Sequence, residues 1–437
     1  MRLLASLTLV ACLCAGSLPA QEFVTLKGHG GPIMGVATAP SGQVASASFD
    51  NSAALWQARA PQWLEGHDAA VTAVRFVGQD RLVTGGDDFA LRLWAPDGSS
   101  KLLGRHKGKV RGLAVSADGG AIASASWDGS IGIWPLDGAP ARMIEIGSGV
   151  NDVAHGPEGL LFAATMDGRV LRIDPKGDGA PRPLAEQGFG VNRLIVDATA
   201  GWLAYGAVDG ATRIIDLNDG AAIADFTLDR RPILAMAYHA ATGQLAVGDG
   251  HGYIMMIATG QGSANENDGW RIARDFRATR KGPIWALAFS PDGNTIWAGG
   301  LDDVIYGWPV ALMGDFDPAM GQERTFLRPA DSMPNGERQF MRKCSICHAL
   351  TPGDSRKAGP TLYALFGRRA GSLPGYRYSP VLDGSDIIWT DDTIDALFDL
   401  GPDHYIPGSK MPMQRITAAE DRKDLVAFLK RATRPEE

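Results

Sequence analysis

The chain has 437 residues, of which 45 % are hydrophobic and 21 % are charged, and it contains 55 glycines and 26 prolines. This length predicts two or three domains, and the composition is that of a globular protein with many tight turns. The formal net charge of -7 argues against nucleic acid as the main partner. Beyond the first twenty residues no apolar run approaches the roughly 18 residues that a membrane span needs, so we expect no transmembrane segment.

Residues 1–20 are predicted to be a secretory signal peptide. Arg2 precedes an apolar stretch over residues 3–15, and small residues then lead to Ala20, after which we expect cleavage. The predicted location is therefore the periplasm. The residues that precede Cys12 also have features of a lipoprotein signal, so a lipid anchor at Cys12, with weak membrane association, stays open as an alternative.

Cysteine usage supports export. Cleavage after the signal would remove Cys12 and Cys14 and leave Cys344 and Cys347 as the thiols of the mature chain. Such a protein has no further thiol from which to build a disulfide framework. The two remaining cysteines are therefore candidates for a site.

Residues 21–310 repeat with a period of roughly forty residues, which suits repeats of four short strands. Each copy has an acidic turn residue six positions before an aromatic or aliphatic residue, and Asp-Gly turns separate short apolar runs. The seven marker pairs are Asp50/Trp56, Asp88/Trp94, Asp128/Trp134, Asp167/Ile173, Asp209/Ile215, His251/Ile257 and Asp302/Trp308. In the sixth pair, His251 replaces the acidic residue.

The first three copies open with a Gly-His or Arg-His pair whose histidine lies 21 or 22 residues before the turn aspartate; these histidines are His29, His67 and His106. This region resembles the WD-repeat family, most clearly in copies one to three and seven. The resemblance implies an all-β propeller of seven blades, in which the three histidines form hydrogen bonds inside their blades. The segment 23–27 has no blade of its own, and we expect it to supply the outer strand of the seventh blade.

Residues 311–333 lack periodicity and are interpreted as a linker to a final domain, residues 334–437. This domain contains Cys344-Ser345-Ile346-Cys347-His348. Two thiols three positions apart, followed at once by histidine, are typical of covalent haem c attachment. Each thiol can bond to one edge of the porphyrin, and the imidazole then lies beneath the iron. A zinc site or a thiol-redox site is the alternative for a CxxC pair.

Several separated motifs accompany the CxxCH segment. Gly336 and Phe340 precede it, and an apolar helical face formed by Leu425, Phe428 and Leu429 lies near the end of the chain. Between them the chain contains Ala358–Arg368, Pro374–Ser379, Trp389 and Tyr405–Met411. From residue 335 to residue 433 the sequence therefore resembles class I c-type cytochromes. This implies an all-α domain in which an N-terminal and a C-terminal helix cross at Gly336.

The resemblance also implies roles for individual residues. The Pro360 carbonyl would accept the free N–H of His348, and Tyr378 and Trp389 would hydrogen-bond a buried haem propionate. Leu362 and Phe366 would pack on the haem edge. Met411, 63 residues after His348, would be the sixth iron ligand, with Met413 as its competitor.

Charges in the last domain are balanced, because residues 331–437 contain 15 Lys+Arg and 15 Asp+Glu. A stretch from Asp383 to Asp403 is rich in aspartate. Seven cations are candidates to line the haem crevice: Arg342, Lys343, Arg356, Lys357, Arg368, Arg369 and Lys410.

With both axial positions filled by protein, the iron has no open site for a small substrate, which favours electron transfer over catalysis. The leading prediction is an exported cytochrome with one covalent haem c per chain, whose propeller is a docking platform for an unidentified redox protein. One alternative is a periplasmic oxidoreductase whose propeller holds a separate active site and delivers electrons to the haem. Another is an assembly scaffold that uses the haem as a sensor.

Overall fold

The computed structural model describes residues 23–177, 180–228, 231–259, 269–279, 282–312, 332–353 and 356–435. The predicted signal peptide, the alternative lipid anchor at Cys12 and residues 313–331 of the predicted linker lie outside these ranges. Within them, none of the helices combines the length and the apolar character of a membrane span.

The N-terminal region consists of strands. In chain order they begin with β1 Val24–Lys27, β2 Ile33–Thr38, β3 Val44–Ser48, β4 Ser52–Gln57, β5 Ala60–Glu65, β6 Val71–Val77, β7 Arg81–Gly86, β8 Ala90–Trp94 and β9 Ser100–Arg105. They continue as β10 Val110–Val115, β11 Ala121–Ser126, β12 Ser130–Pro135, β13 Arg142–Glu145, β14 Val150–His155, β15 Leu161–Thr165, β16 Arg169–Ile173, β17 Arg182–Glu186 and β18 Val191–Asp197. The last are β19 Trp202–Ala207, β20 Thr212–Asp216, β21 Ala222–Asp225, β22 Ile233–His239, β23 Gln244–Asp249, β24 Tyr253–Ala258, β25 Arg271–Arg277, β26 Ile284–Phe289, β27 Thr295–Gly300 and β28 Val304–Pro309.

These strands form seven antiparallel four-stranded sheets, the blades of a propeller, as predicted. Six blades are simple meanders, from β2–β5 to β22–β25. The seventh has the order β1-β28-β27-β26, so that the first strand pairs with the last one, with Val24 opposite Gly307 and Lys27 opposite Val304. This pairing joins the two ends of the propeller sequence, and it confirms the predicted role of residues 23–27. Radial closure leaves only short sheet edges exposed.

Buried hydrogen bonds stabilise the first blade in the way its sequence predicted. His29 Nδ1 lies 2.8 Å from Asp50 Oδ2, and His29 Nε2 lies 2.8 Å from Ser46 Oγ. Trp56 Nε1 donates to the same hydroxyl at 2.8 Å. The equivalent sets in the next two blades are His67, Asp88, Thr84 and Trp94, and His106, Asp128, Ser124 and Trp134. Because each polar group has a partner inside its blade, these histidines are structural.

Later blades replace the histidine with other groups. In the fifth, Gln187 Nε2 donates to Asp209 at 2.8 Å, and Gln187 Oε1 accepts a bond from Tyr205. In the sixth, the turn carboxylate comes from Asp249, which accepts the backbone N–H groups of His251 and Tyr253. The alignment on His251 therefore missed the acidic residue, which lies two positions earlier.

The C-terminal region is helical, with α1 Asn335–Lys343, α2 Asp391–Leu400, α3 Pro402–Tyr405 and α4 Ala419–Ala432. Helices α1 and α4 cross at Gly336, where a Cβ atom would lie 2.8 Å from Phe428 Cβ and would collide with the Asp424 carbonyl oxygen. The Phe340 and Phe428 rings pack beside this crossing, with centroids 5.5 Å apart. The fold is thus an all-β propeller followed by an all-α domain, as predicted.

The aspartate-rich stretch has a structural explanation. Asp391 and Asp392 occupy the first turn of α2, where the positive end of the helix dipole favours carboxylates. Asp395 and Asp399 both face Arg422 of α4, with N–O distances of 2.9 and 3.0 Å. Most of this negative charge therefore serves the helix packing.

Replacing Gly336 by alanine tests the helix crossing. We expect the helical domain to lose about 1–3 kcal/mol of unfolding free energy, because the new methyl group overpacks the contact with α4. Denaturant unfolding followed by helical circular dichroism measures the change. Gly269→Ala in the propeller is the control, since no atom of the described residues lies within 4 Å of its Cβ position. Equal midpoints for the two variants would contradict the proposed role of Gly336.

Candidate haem site

One cavity contains all seven residues that the sequence proposed for the site. Its wall is mainly apolar and includes Cys344, Cys347, His348, Pro360, Tyr378, Trp389 and Met411. Buried residues of the helical core, such as Leu365, Leu397 and Phe398, form its floor. Residues more than 60 positions apart therefore meet at a single site.

The end of α1 positions the CxxCH segment. The backbone N–H of Cys344 donates to the Phe340 carbonyl at 2.8 Å, and those of Cys347 and His348 both donate to the Cys344 carbonyl, at 3.0 and 2.9 Å. This tight turn directs both thiols and the imidazole toward the cavity. Burial raises the pKa of Cys344 to about 12, and the neighbouring Cys347 adds to the effect. Thiol-redox sites need a lowered thiol pKa, so this environment argues against that alternative.

The His348 ring is held by Pro360. Nδ1 of His348 lies 2.8 Å from the Pro360 carbonyl oxygen, which requires Nδ1 to carry the proton. Burial lowers the pKa of His348, while the Pro360 bond acts in the opposite direction. The ring is therefore neutral, and its lone pair is on Nε2. Gly359 contacts the ring directly, since a Cβ there would lie 2.7 Å from Nδ1, so any larger residue would displace the imidazole.

The structure separates the two methionines. Met411 is partly buried and lines the cavity together with His348. Met413 is 52 % exposed, and its sulfur lies beside Gly401. Of the two, Met411 is therefore placed to face a group held in the cavity.

Polar groups cluster on another wall. Tyr378 packs edge-on against Tyr376, with ring centroids 4.8 Å apart, and both line the cavity, as does Trp389. The Tyr376 hydroxyl donates to the Ala358 carbonyl at 2.6 Å, and burial raises the pKa of Tyr376 to about 12. These side chains bring hydroxyl and indole N–H donors to the cavity.

Ser379 is a site residue that the sequence reasoning missed. It is 4 % exposed and lines the cavity, and its hydroxyl has no hydrogen-bond partner among the described residues. A buried hydroxyl without a partner is unfavourable, so this group fits a ligand oxygen such as that of a haem propionate. Its position next to Tyr378 in the sequence was the available signal.

The expected apolar contacts are partly wrong. Leu362 lines the cavity, as proposed, but the residue that accompanies it is Leu365. Phe366 instead packs below Lys430, whose ammonium lies 5.8 Å from its ring. The neutral imidazole, the buried thiols, the orphaned Ser379 hydroxyl and the apolar walls together fit a covalently attached haem.

Comparison with known proteins agrees with this geometry. The family described as Cytochrome c matches residues 334–433, and the WD domain, G-beta repeat, matches residues 20–57, 61–95, 99–135 and 271–308. Cytochrome c of Sesamum indicum is 42 % identical over 106 residues, which are 24 % of this chain and 94 % of the relative. This chain belongs to the cytochrome c family. Cytochrome c of Nigella damascena is 39 % identical over 106 residues, with the same coverage, and that of Chlamydomonas reinhardtii is 38 % identical over 105 residues, 24 % of this chain and 93 % of the relative.

Family membership implies a haem c and electron transfer for the cytochrome c domain, and the WD propeller implies interaction with proteins. The matched WD segments correspond to blades one to three and seven, the copies in which the resemblance was clearest. The propeller also completes the wall of the haem cavity, with Phe49, Asn51, Asp68, Asp87 and Lys109 at its mouth.

Cations of the cytochrome c domain contact acidic and aromatic groups of blades one and two. The Arg356 guanidinium lies 3.8 Å from the centroid of the Trp63 ring, and its Nη2 is 2.8 Å from Glu65 Oε1. Asp68 pairs with Arg377 and, at 3.3 Å, with Lys410. The propeller therefore covers one side of the haem cavity.

The predicted crevice cations divide into groups. Lys343, Arg368 and Lys410 line the cavity. Arg356 contacts the propeller, and Lys357 lies 3.4 Å from the Gly30 carbonyl oxygen. Arg369 is directed elsewhere, toward Asp386. Only part of the proposed basic rim therefore surrounds the cavity, and part of it holds the two domains together.

Replacing Asp68 by asparagine tests the contact between the domains. Exposed ion pairs contribute roughly 0–1 kcal/mol each, and this change weakens two of them. We expect faster amide hydrogen exchange over the segment 64–70 and the loop around Arg377, without a change in the unfolding of either domain. Asp80→Asn is the control, because Asp80 is exposed in the loop between β6 and β7. Unchanged exchange in Asp68→Asn would contradict an ion-pair contact in solution.

Proposed function

We propose that this protein is an exported one-electron carrier, with a His/Met-ligated haem c in its C-terminal domain and a propeller that holds a redox protein near it. The observation that carries the proposal is the placement of His348 and Met411 in the wall of one cavity, beside both cysteines. Bound there, haem c would supply an iron that gains and loses one electron reversibly.

The surrounding residues have distinct tasks in this proposal. The Pro360 carbonyl holds His348 in the tautomer that presents Nε2 as the donor atom, and Gly359 leaves room for the ring. With haem bound, the thioether of Met411 would be the second protein ligand of the iron. The hydroxyl of Ser379 would join Tyr378 and Trp389 as a hydrogen-bond donor to a haem propionate, because a buried carboxylate needs such partners. Ligation of the iron by both His348 and Met411 would leave no open position for a small substrate.

The second part of the proposal concerns export and the propeller. The signal-like residues 1–20 and the two cysteines that remain after their removal support periplasmic location, where haem c attachment takes place. The propeller buries one side of the haem cavity through its first two blades, so a protein that binds elsewhere on the same face is held close to the cavity. Tethering of this kind raises the local concentration of one partner around the other without any better contact.

Replacement of Met411 by alanine tests the ligand assignment. We expect a lower reduction potential, by part of the ~0.8 V range that axial ligands span, and an iron that now binds added imidazole. Redox titration and the visible spectrum measure both effects. Met413→Ala is the matched control, and it should leave potential and spectrum unchanged because its side chain points away from the cavity. The ligand assignment fails if Met413→Ala produces the larger shift.

A further inference from the structure

The face of the propeller that bears the cytochrome c domain also carries exposed apolar side chains. In each blade one residue directly follows the second strand, and in blades three, four and five it is Trp127, Met166 and Val208, which are 42 %, 51 % and 41 % exposed. Phe189, in the loop that leads from blade four to blade five, is 57 % exposed. Because each of these blades is a meander, these turns and inter-blade loops lie on the same face of the propeller as Asn51 and Asp68. We call the four residues the apolar arc.

The members of the arc lie next to one another. Met166 N–H donates to the Gly149 carbonyl at 2.8 Å, and a Cβ on Gly149 would lie 2.5 Å from Met166 Sδ and 3.7 Å from Trp127 Cα. Val208 N–H donates to the Gly190 carbonyl at 2.9 Å, and a Cβ on Gly190 would lie 3.1 Å from the Met166 carbonyl oxygen. Glycines between the blades thus let the side chains approach, and the arc is one surface.

Positive charge borders the arc on its inner side. The Arg111 guanidinium lies 4.9 Å from the centroid of the Trp127 ring, and Lys109 Nζ lies 5.8 Å from it. Arg75 and Arg193 stand on the innermost strands of blades two and five, near the single buried carboxylate of Asp152. Burial and the charge of Arg193 lower the pKa of Arg111 to about 10, although the nearby carboxylate of Asp87 acts in the opposite direction.

Backbone N–H groups hold the carboxylate of Asp152 in place, and its charge attracts Arg75 and Arg193. Its two oxygens accept backbone N–H groups from Val153 and Leu194, at 3.0 and 3.1 Å. The inner side therefore carries four cations, Arg75, Lys109, Arg111 and Arg193, against two acids, Asp87 and Asp152. A carboxylate brought by another molecule would offset the remaining positive charge. This charge distribution favours binding of an acidic protein.

The arc adjoins the haem cavity. Lys109, which borders Trp127, pairs with Asp87 at 2.6 Å, and both residues line the cavity that contains Met411. Among the described residues, the ion pairs and the cation–π contact of the cytochrome c domain with the propeller involve blades one and two, and the arc on blades three to five lies beside them. A protein on the arc would sit next to the haem cavity without displacing the ion pairs of Asp68.

We propose that the apolar arc and the arginines on its inner side dock a small acidic redox protein, with apolar side chains against Trp127 and Met166 and carboxylates toward Arg111. This inference rests on the proposed electron-transfer function and specifies where and by what chemistry the partner binds. An apolar centre with charged surroundings is the usual form of a transient protein interface.

Binding of an acidic one-electron carrier tests the docking surface. The probe is oxidised plant-type ferredoxin, titrated into the haem-loaded full chain by calorimetry at low ionic strength. The variants are Trp127→Ala/Met166→Ala and Arg111→Gln. Their controls are Leu102→Ala/Met143→Ala, whose residues are 42 % and 41 % exposed on the outer strands β9 and β13, and Lys101→Gln on β9.

We expect both arc variants to bind the probe about tenfold more weakly, the controls to bind as the parent does, and added salt to weaken binding. Equal binding by parent and arc variants, equal losses in arc and control variants, or tighter binding in salt would each overturn the proposal. So would a dimer of the parent in sedimentation that Met166→Ala dissociates, because a second copy would then occupy the arc. Unfolding temperatures show that every variant is folded.

The proposed function is tested separately in the same samples. Reduction by dithionite followed by reoxidation by ferricyanide, without any protein partner, reports on the haem alone. If the unsubstituted protein is reduced reversibly but binds ferredoxin independently of the arc, the electron-transfer proposal stands and the docking proposal is overturned. If the unsubstituted protein cannot be reduced and reoxidised reversibly, the electron-transfer proposal is overturned, whatever the protein binds.

Discussion

The hydrogen bond from His348 to the Pro360 carbonyl is the interaction on which the rest of the site depends. It joins two segments 12 residues apart at 2.8 Å, and it determines which ring nitrogen carries the proton. The turn at the end of α1 then places both cysteines beside the ring, and Gly359 can pass close to it only because it has no side chain. Without this bond the protonated nitrogen of the imidazole would not be fixed, and Nε2 would not be reserved as the atom that carries the lone pair.

The two domains of this cytochrome are joined by the chain and also pack against each other. Pairing of β1 with β28 closes the propeller, and closure directs the inter-blade loops and the second turns of all blades to one face. Acidic groups of blades one and two on that face meet cations of the cytochrome c domain. The haem cavity therefore has a wall that a free cytochrome would lack, and the remaining part of the same face lies beside it.

Much of the fold and the site could be predicted from sequence because the signals are local. A CxxCH segment consists of five consecutive residues. Most blades have their turn aspartate six positions before an aromatic or aliphatic residue of the third strand. Proposals failed where the outcome depended on packing. Phe366 packs against Lys430, whereas Leu365 lines the cavity. The two residues are adjacent in the chain, and only the local backbone conformation decides which of them faces the cavity. Ser379 was missed because a serine becomes a candidate only when its hydroxyl is seen to be buried and unpaired.

The sequence by itself determined the seven repeats through their periodicity and the haem attachment segment through the CxxCH spacing. The helical domain and the other residues around the haem cavity followed from the resemblance of residues 335–433 to class I c-type cytochromes. Only the tertiary structure decided that Asp68 would meet Arg377 and Lys410, that Asp249 would supply the turn carboxylate of blade six, and that Trp127, Met166, Phe189 and Val208 would form one surface. Such contacts join residues that are far apart in the chain or in separate repeats. They depend on how the blades are arranged around the propeller axis and on how the cytochrome c domain packs against the propeller. No local sequence pattern encodes either arrangement.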